Sequence, residues 1–275
     1  MVLHRPAAAA AGLVLVASLA SAPAAAQGLL QRGETIGIPT PPSWTLTLGA
    51  LGGIRPDDEG SDDLAGFGAP LIDLRFRDLF FLSSRDGLGV SVLRGGGFAA
   101  GPLLRYRFGR HQDDNDALKG LGDVGGTLEG GAFLRWQGGG FLVNVTAVQG
   151  LNGGGHRGFA AHASVGYGGR LGERKSYSIG PNITWGDSQF LQAYFGVTPE
   201  QAARSGYRLY SPGLGVKDVR LAGMLTWRFA DRAAAIALVE VSQRLDRAAD
   251  SPIVDQRGSA TQAFFGLGLS YRFSW

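Results

Sequence analysis

The sequence predicts an all-β fold, a transmembrane antiparallel β-barrel of about 12 strands, with 10 and 14 as the alternatives. Three observations predict it. Large apolar residues alternate with small or polar ones along most of the chain, up to its last residue. The first 26 residues have the layout of an export signal. Glycine makes up 45 of 275 residues, about 16% against a usual ~7%, and charged residues only 18%, which suits strands joined by tight turns.

The export signal comes first. Arg5 gives a positive start, Ala7–Leu19 an apolar core, and Ala24-Ala25-Ala26 the small residues of a cleavage site, so the mature chain is expected to begin at Gln27. Residues 27–43 read as an N-terminal periplasmic segment and residues 44–275 as the barrel. The chain has no cysteine, which excludes disulfides, thiolate-bound metals, thiol nucleophiles and a lipoprotein anchor. Downstream, no run reaches the ~18–20 apolar residues of a spanning helix. Twenty-six basic residues against 23 acidic ones leave +3, and the arginines are scattered, so nucleic acid is not an expected partner.

The strands follow from the alternation. Trp44, Leu46 and Leu48 share one face, as do Ile72, Leu74 and Phe76 opposite Asp73, Arg75 and Arg77. Between Leu71 and Leu93, Arg77-Asp78 and Arg85-Asp86-Gly87 are both plausible turns. Leu104, Tyr106 and Phe108 oppose Arg105 and Arg107; Leu128, Leu134 and Trp136 oppose Glu129 and Arg135. Phe141–Val148, Ala161–Gly168 and Tyr177–Trp185 continue the pattern, and Val219, Leu221, Leu225, Trp227 and Phe229 oppose Arg220 and Arg228. The last strand is the clearest. Phe265, Leu267, Leu269, Tyr271, Phe273 and Trp275 line one face over 11 residues, the ~9–11 needed to cross a bilayer as a tilted strand. Tyr271, Phe273 and Trp275 have the form of the signal that outer-membrane barrels present to the barrel assembly machinery.

Aromatics near strand ends suit the two girdles of a membrane barrel, and backbone in lipid must find its partners in a closed sheet. The opposite face then reads as a wet lumen, too rich in arginine for a dry core. Its candidate lining is Arg75, Arg77, Arg105, Arg107, Arg135, Arg220 and Arg228, with Arg244 and Arg272, opposed by Asp73, Glu129 and Glu240. Such a lumen either conducts or is plugged by its own ion pairs; both readings stay open. The loops carry acidic Arg55–Asp63 and mixed Arg110–Lys119. A short helix is expected at 198–206, with Thr198 as N-cap, Pro199 first, Gln201 closing a capping box and Gly206 at its end.

At these loops the chain resembles the MltA-interacting protein (MipA)/OmpV family of Gram-negative outer-membrane proteins. The resemblance is carried by Gly52–Asp63 (GGIRPDDEGSDD), Asn115–Val124 (NDALKGLGDV), Tyr194–Tyr207 (YFGVTPEQAARSGY), Gly213–Asp218 (GLGVKD) and Ala249–Phe273. It implies an outer-membrane barrel and, for the founding member, a scaffold joining a peptidoglycan lytic transglycosylase to a synthase. It carries over no catalytic residue.

Three patterns suggest other chemistry and lack its context. Gly120–Gly125 matches G-x-G-x-x-G but follows a charged loop and precedes an alternating strand, so its glycines read as loop glycines. Gly186-Asp187-Ser188 has no histidine base in a paired motif and reads as a turn. His156 and His162 lack zinc spacing, and Asp57, Asp58, Glu59, Asp62 and Asp63 lack that of a calcium loop and read as a charged surface loop. The expectation is therefore a protein of the cell outer membrane, in contact with lipid, with no enzymatic activity, metal or cofactor, acting as a structural or scaffolding partner. The alternative is a passive pore whose arginines favour anions.

Overall fold

The structure is a computed structural model that describes residues 44–275; the expected signal and the 27–43 segment lie outside the described residues. Thirteen strands form one sheet: β1 (Trp44–Pro56), β2 (Leu64–Phe76), β3 (Phe80–Ser83), β4 (Gly87–Val90), β5 (Leu93–Gly95), β6 (Phe98–Arg107), β7 (Thr127–Gly138), β8 (Phe141–Gly150), β9 (Phe159–Leu171), β10 (Lys175–Gly186), β11 (Gly215–Arg228), β12 (Ala233–Arg244) and β13 (Thr261–Ser274). Each pairs antiparallel with its neighbours, β1 pairs with β13, and β4 pairs with β6. That closes a 12-stranded barrel, with β5 as an extra strand on β6. Both suspected turns exist, at Arg77–Leu79 and Ser84–Asp86.

Alternation decides what each face meets. In β13, Leu267 and Leu269 are 55% and 62% exposed on the outside, while Gln262 and Phe264 are buried inside. The outside is thus an apolar belt that only lipid can cover, since the ladders satisfy the backbone within the sheet.

The two ends differ. At the end where β1 begins and β13 stops, connections are short; β7 and β8 are joined by Gly139-Gly140 alone, both at positive φ, the backbone a two-residue hairpin requires. At the other end long loops carry four helices: α1 (Ser188–Phe195), α2 (Pro199–Ser205), α3 (Asp246–Ala249) and α4 (Pro252–Arg257). The expected helix is α2. Thr198 Oγ1 accepts from the Gln201 N–H at 3.3 Å, Gln201 Oε1 accepts from the Thr198 N–H at 2.9 Å, and Gly206 ends it at φ 78°.

Helix α1 corrects the reading of Gly186-Asp187-Ser188 as a simple turn. Asp187 is its N-cap, accepting from the Phe190 N–H at 2.8 Å and from the Phe159 N–H at 2.9 Å. Phe190, Leu191, Tyr194 and Phe195 share one buried face, which enters the barrel mouth and packs with Val148, Ala160, Phe133, Leu103 and Phe81. A second cluster, Leu51, Ala222, Leu238 and Phe264, fills the lumen from the other side. The expected wet lumen is therefore corrected: inward positions carry packed apolar side chains as well as arginines.

One part of the wall is low. β3 and β4 have four residues each, and β3 reaches only Asp73–Phe76 of β2. Among the described residues no strand pairs with Leu64–Leu71 on that side. The Ser84 hydroxyl donates to the Pro70 carbonyl at 3.1 Å and accepts from the Ile72 N–H at 3.2 Å. Pro70 has no N–H to leave unpaired, and proline is tolerated at sheet edges for that reason.

Candidate functional site

Under the helices, a ring of buried polar groups crosses the lumen. Glu129 in β7 stands opposite Arg105 in β6 and takes guanidinium bonds from Arg105 and, at 2.7 Å, from Arg107; its Oε1 also lies 2.9 Å from His156 Nε2. Arg105 continues to His162 Nε2 at 2.9 Å, and His162 Nδ1 lies 3.2 Å from Thr184 Oγ1. Arg220 donates to Thr184 at 2.7 Å and to Asp218 at 2.9 Å. Arg244 donates to Asp218 at 3.0 Å and to Gln262 at 2.6 Å. Gln262 then donates to the Asp58 and Ser61 carbonyls of the β1–β2 loop.

That loop corrects a second expectation, that its acidic run lies on the surface. Asp58 and Glu59 are buried. Glu59 grips Lys217 Nζ at 2.8 and 2.9 Å, and Lys217 also meets Asp218 at 3.1 Å. Burial pushes the Glu59 carboxyl up, but Lys217 and Arg244 outweigh it and hold the group down at about 2. Burial raises the Asp58 carboxyl to about 6, against the pull of Arg110, 3.8 Å away. Asn115 Nδ2 donates to Asp57, Ser61 and Asp63 at 2.8 to 3.2 Å, tying this loop to the β6–β7 loop.

Strict alternation conceals Lys217 and Asp218. The β10–β11 register slips between Thr184 and Trp185, facing Asp218 and Val216, so both neighbours face inward. One available signal was composition: Lys217 is one of only three lysines in the chain.

Below the ring lies a cavity of ≈ 740 Å³ that opens among the short turns. Its mouth carries Arg75, Arg77, Arg94, Arg228, Arg232 and Arg272 against Asp73, Asp78 and Asp231. Its inner wall is apolar on one side, with Leu51, Leu71, Phe81, Phe133, Met224 and Leu238, and carries Asn144, Ser164 and Ser178 on the other. Arg135 sits between these zones, with Asp86 at 3.2 Å and its guanidinium over the Phe81 and Phe133 rings at 4.5 and 5.1 Å.

The structure thus sorts the candidate lining residues into two groups. Arg75, Arg77, Arg135 and Arg228 line the open cavity. Arg105, Arg107, Arg220 and Glu129 form the buried ring, and Glu240 is buried within electrostatic reach of Arg220. Arg77 lies in the β2–β3 turn at φ 48°, beyond the strand assigned to it. Tyr271, Phe273 and Trp275 are exposed on the outer face at the turn end, where β1 and β13 close the sheet. Among the described residues no group of three or more His, Asp or Glu is arranged to hold a metal. No helix among them is long and apolar enough to cross a membrane, which says nothing of the strands.

A family model described as "MltA-interacting protein MipA" matches residues 48–273. Solved barrels are similar in backbone. A KdgM porin is 10% identical, with 83% of this chain and 99% of that one covered, at a TM-score of 0.42. A structure described as "Bacterial polysaccharide outer membrane secretin" is 11% identical, covering 86% and 100%, at 0.44. At this level the likeness is one of architecture alone. Among curated proteins, no sequence matches the chain.

Proposed function

The chain belongs to the MltA-interacting protein MipA family, and from that premise we propose that it is a non-enzymatic scaffold of the cell envelope, set in the outer membrane. Short turns of such barrels face the periplasm and long loops the outside. The cavity mouth then opens toward the peptidoglycan, and the helical cap faces out. The partners that fit this reading are a peptidoglycan lytic transglycosylase, which the family resemblance implies behind the name MltA in the family's description, and a synthase brought to it.

One observation carries the proposal: the loop end is shut by packing. Phe190, Leu191 and Phe195 have no exposed surface, and Arg105, Arg107, Glu129, Asp218, Arg220 and Arg244 are paired and buried beneath them. A barrel stoppered this way supports docking better than passage. The arginines at the open mouth favour the second reading, an anion-preferring pore.

Planar-bilayer recording and affinity capture test the two together. Purified barrel is expected to give no stable conductance steps, and immobilised barrel to retain a lytic transglycosylase from an outer-membrane extract. Steady chloride-preferring steps without capture would replace the scaffold with the pore.

A further inference from the structure

We propose that the turn-end cavity is a binding site for a single-chain anionic amphiphile, an acyl chain carrying a carboxylate or phosphate head. The proposal needs only the barrel and its cavity, and is independent of any scaffolding partner. It rests on the unlike chemistry of the cavity's two zones.

The mouth is cationic. Six arginines stand against Asp73, Asp78 and Asp231, and guanidinium forks match carboxylate and phosphate oxygens two at a time. Arg94, Arg228 and Arg232 make no ion pair with a carboxylate among the described residues, although Arg228 donates to the Glu173 carbonyl at 2.7 Å. The inner wall is different. Leu51, Leu71, Met224 and Leu238 surround the far end, and the Phe81 and Phe133 rings stand beside Arg135.

The zones are separated by a useful depth. Along β11, Arg228 at the mouth and Met224 inside are four residues apart, about 13 Å of strand. Arg75 and Leu71 repeat that spacing on β2. A volume of ≈ 740 Å³ falls within the ~300–1,000 Å³ of small-molecule sites.

Other ligand classes fit worse. A sugar chain would find Asn144, Ser164 and Ser178 along one side of the cavity, but on the other its hydroxyls would press against Leu51, Met224 and Leu238, which cannot bond them. A bare hydrocarbon would leave the arginines without a role, and a cationic amphiphile would be repelled at the mouth. An anionic head with one apolar tail uses both zones.

The test uses the mature chain transferred from detergent to amphipol, since detergent is itself an amphiphile, with radiolabelled dodecanoate in equilibrium dialysis. Saturable binding near one molecule per barrel is expected, displaced by dodecyl phosphate and not by dodecyltrimethylammonium or inorganic phosphate. Leu238→Trp, which fills the inner end, and the pair Arg94→Glu in the short strand β5 and Arg232→Glu in the β11–β12 turn should each weaken binding at least about tenfold. Unheated gel migration reports that each variant is a folded barrel. If Leu238→Trp does not fold, the arginine pair decides.

Three results would overturn the proposal. Equal displacement by dodecyltrimethylammonium would mean that the arginines do not select the head. Displacement by inorganic phosphate as effective as by dodecyl phosphate would reduce the site to an anion site. Undiminished binding to folded variants would place the amphiphile on the barrel's outer face.

Discussion

Asp58 and Glu59 are adjacent, both buried under the cap, and respond to acid in opposite directions. Asp58, raised to about 6 by burial, holds its proton more tightly folded than unfolded, so its charge weakens the cap at neutral pH and that penalty fades as pH falls through 6. Glu59, held at about 2 by Lys217 and Arg244, contributes stability above its ordinary value of 4.5 and loses it as pH falls from there toward 2. Amide exchange of the β1–β2 loop should therefore be slowest near pH 4, once corrected for the intrinsic rate, with a gain of about 1–2 kcal/mol already between pH 7 and 5. Asp58→Asn should remove that gain and leave the loss at lower pH. Glu129 is a harsher case. Glu129→Ala strands Arg105 and Arg107 in a buried ring and should cost about 3–5 kcal/mol, seen as a lower temperature for loss of the unheated gel form. Asp116→Ala, which removes an exposed partner of Lys119, should leave that temperature unchanged.

Helix α1 is the element on which closure of the loop end turns. Its Phe190 is fully buried, 4.9 Å from the His156 ring and 5.1 Å from the Arg107 guanidinium. Phe190→Ala should cost about 3–5 kcal/mol, and Asp187→Ala about 1 kcal/mol through the lost cap, both read by the same gel transition. Helix α2 was legible because capping chemistry is local: Thr198, Pro199, Gln201 and Gly206 are neighbours in sequence. Asp187 offered the same signal, but it directly follows a long strand, where an Asp also suits a turn. The burial of α1 depends on Val148 and Ala160, far away in sequence. The last strand needs no distant information, since its alternation states both faces. Deleting Phe273–Trp275 should sharply lower outer-membrane levels and leave material to periplasmic proteases, whereas Ser270→Ala should not; equal levels would show that the terminal aromatics do not direct assembly.

For the whole molecule, the mature chain should fractionate with the outer membrane, give β-type circular dichroism and migrate differently when unheated; recovery as soluble periplasmic protein without a heat shift would contradict the membrane assignment. The closed barrel was readable because lipid imposes one rule on every strand. The lumen was not, because an inward arginine looks the same in sequence whether it lines the open cavity, as Arg228 does, or pairs with Glu129, as Arg107 does. Ring membership is set by cross-strand register, and a single bulge at Lys217 is enough to hide it.

The low wall at β3 and β4 has a mechanical meaning. A barrel in a stretched membrane carries hoop stress, shared in series by every strand-to-strand joint. β1 and β2 meet over thirteen residue pairs, β4 and β6 over two. The ring of buried ions runs from β6 through β13 to the β1–β2 loop and stiffens that arc without drawing on β3 or β4. Compliance should thus be concentrated in one line of the circumference, and a barrel under tension should open along that line first, held there chiefly by the Asp86 pairs with Arg75 and Arg135.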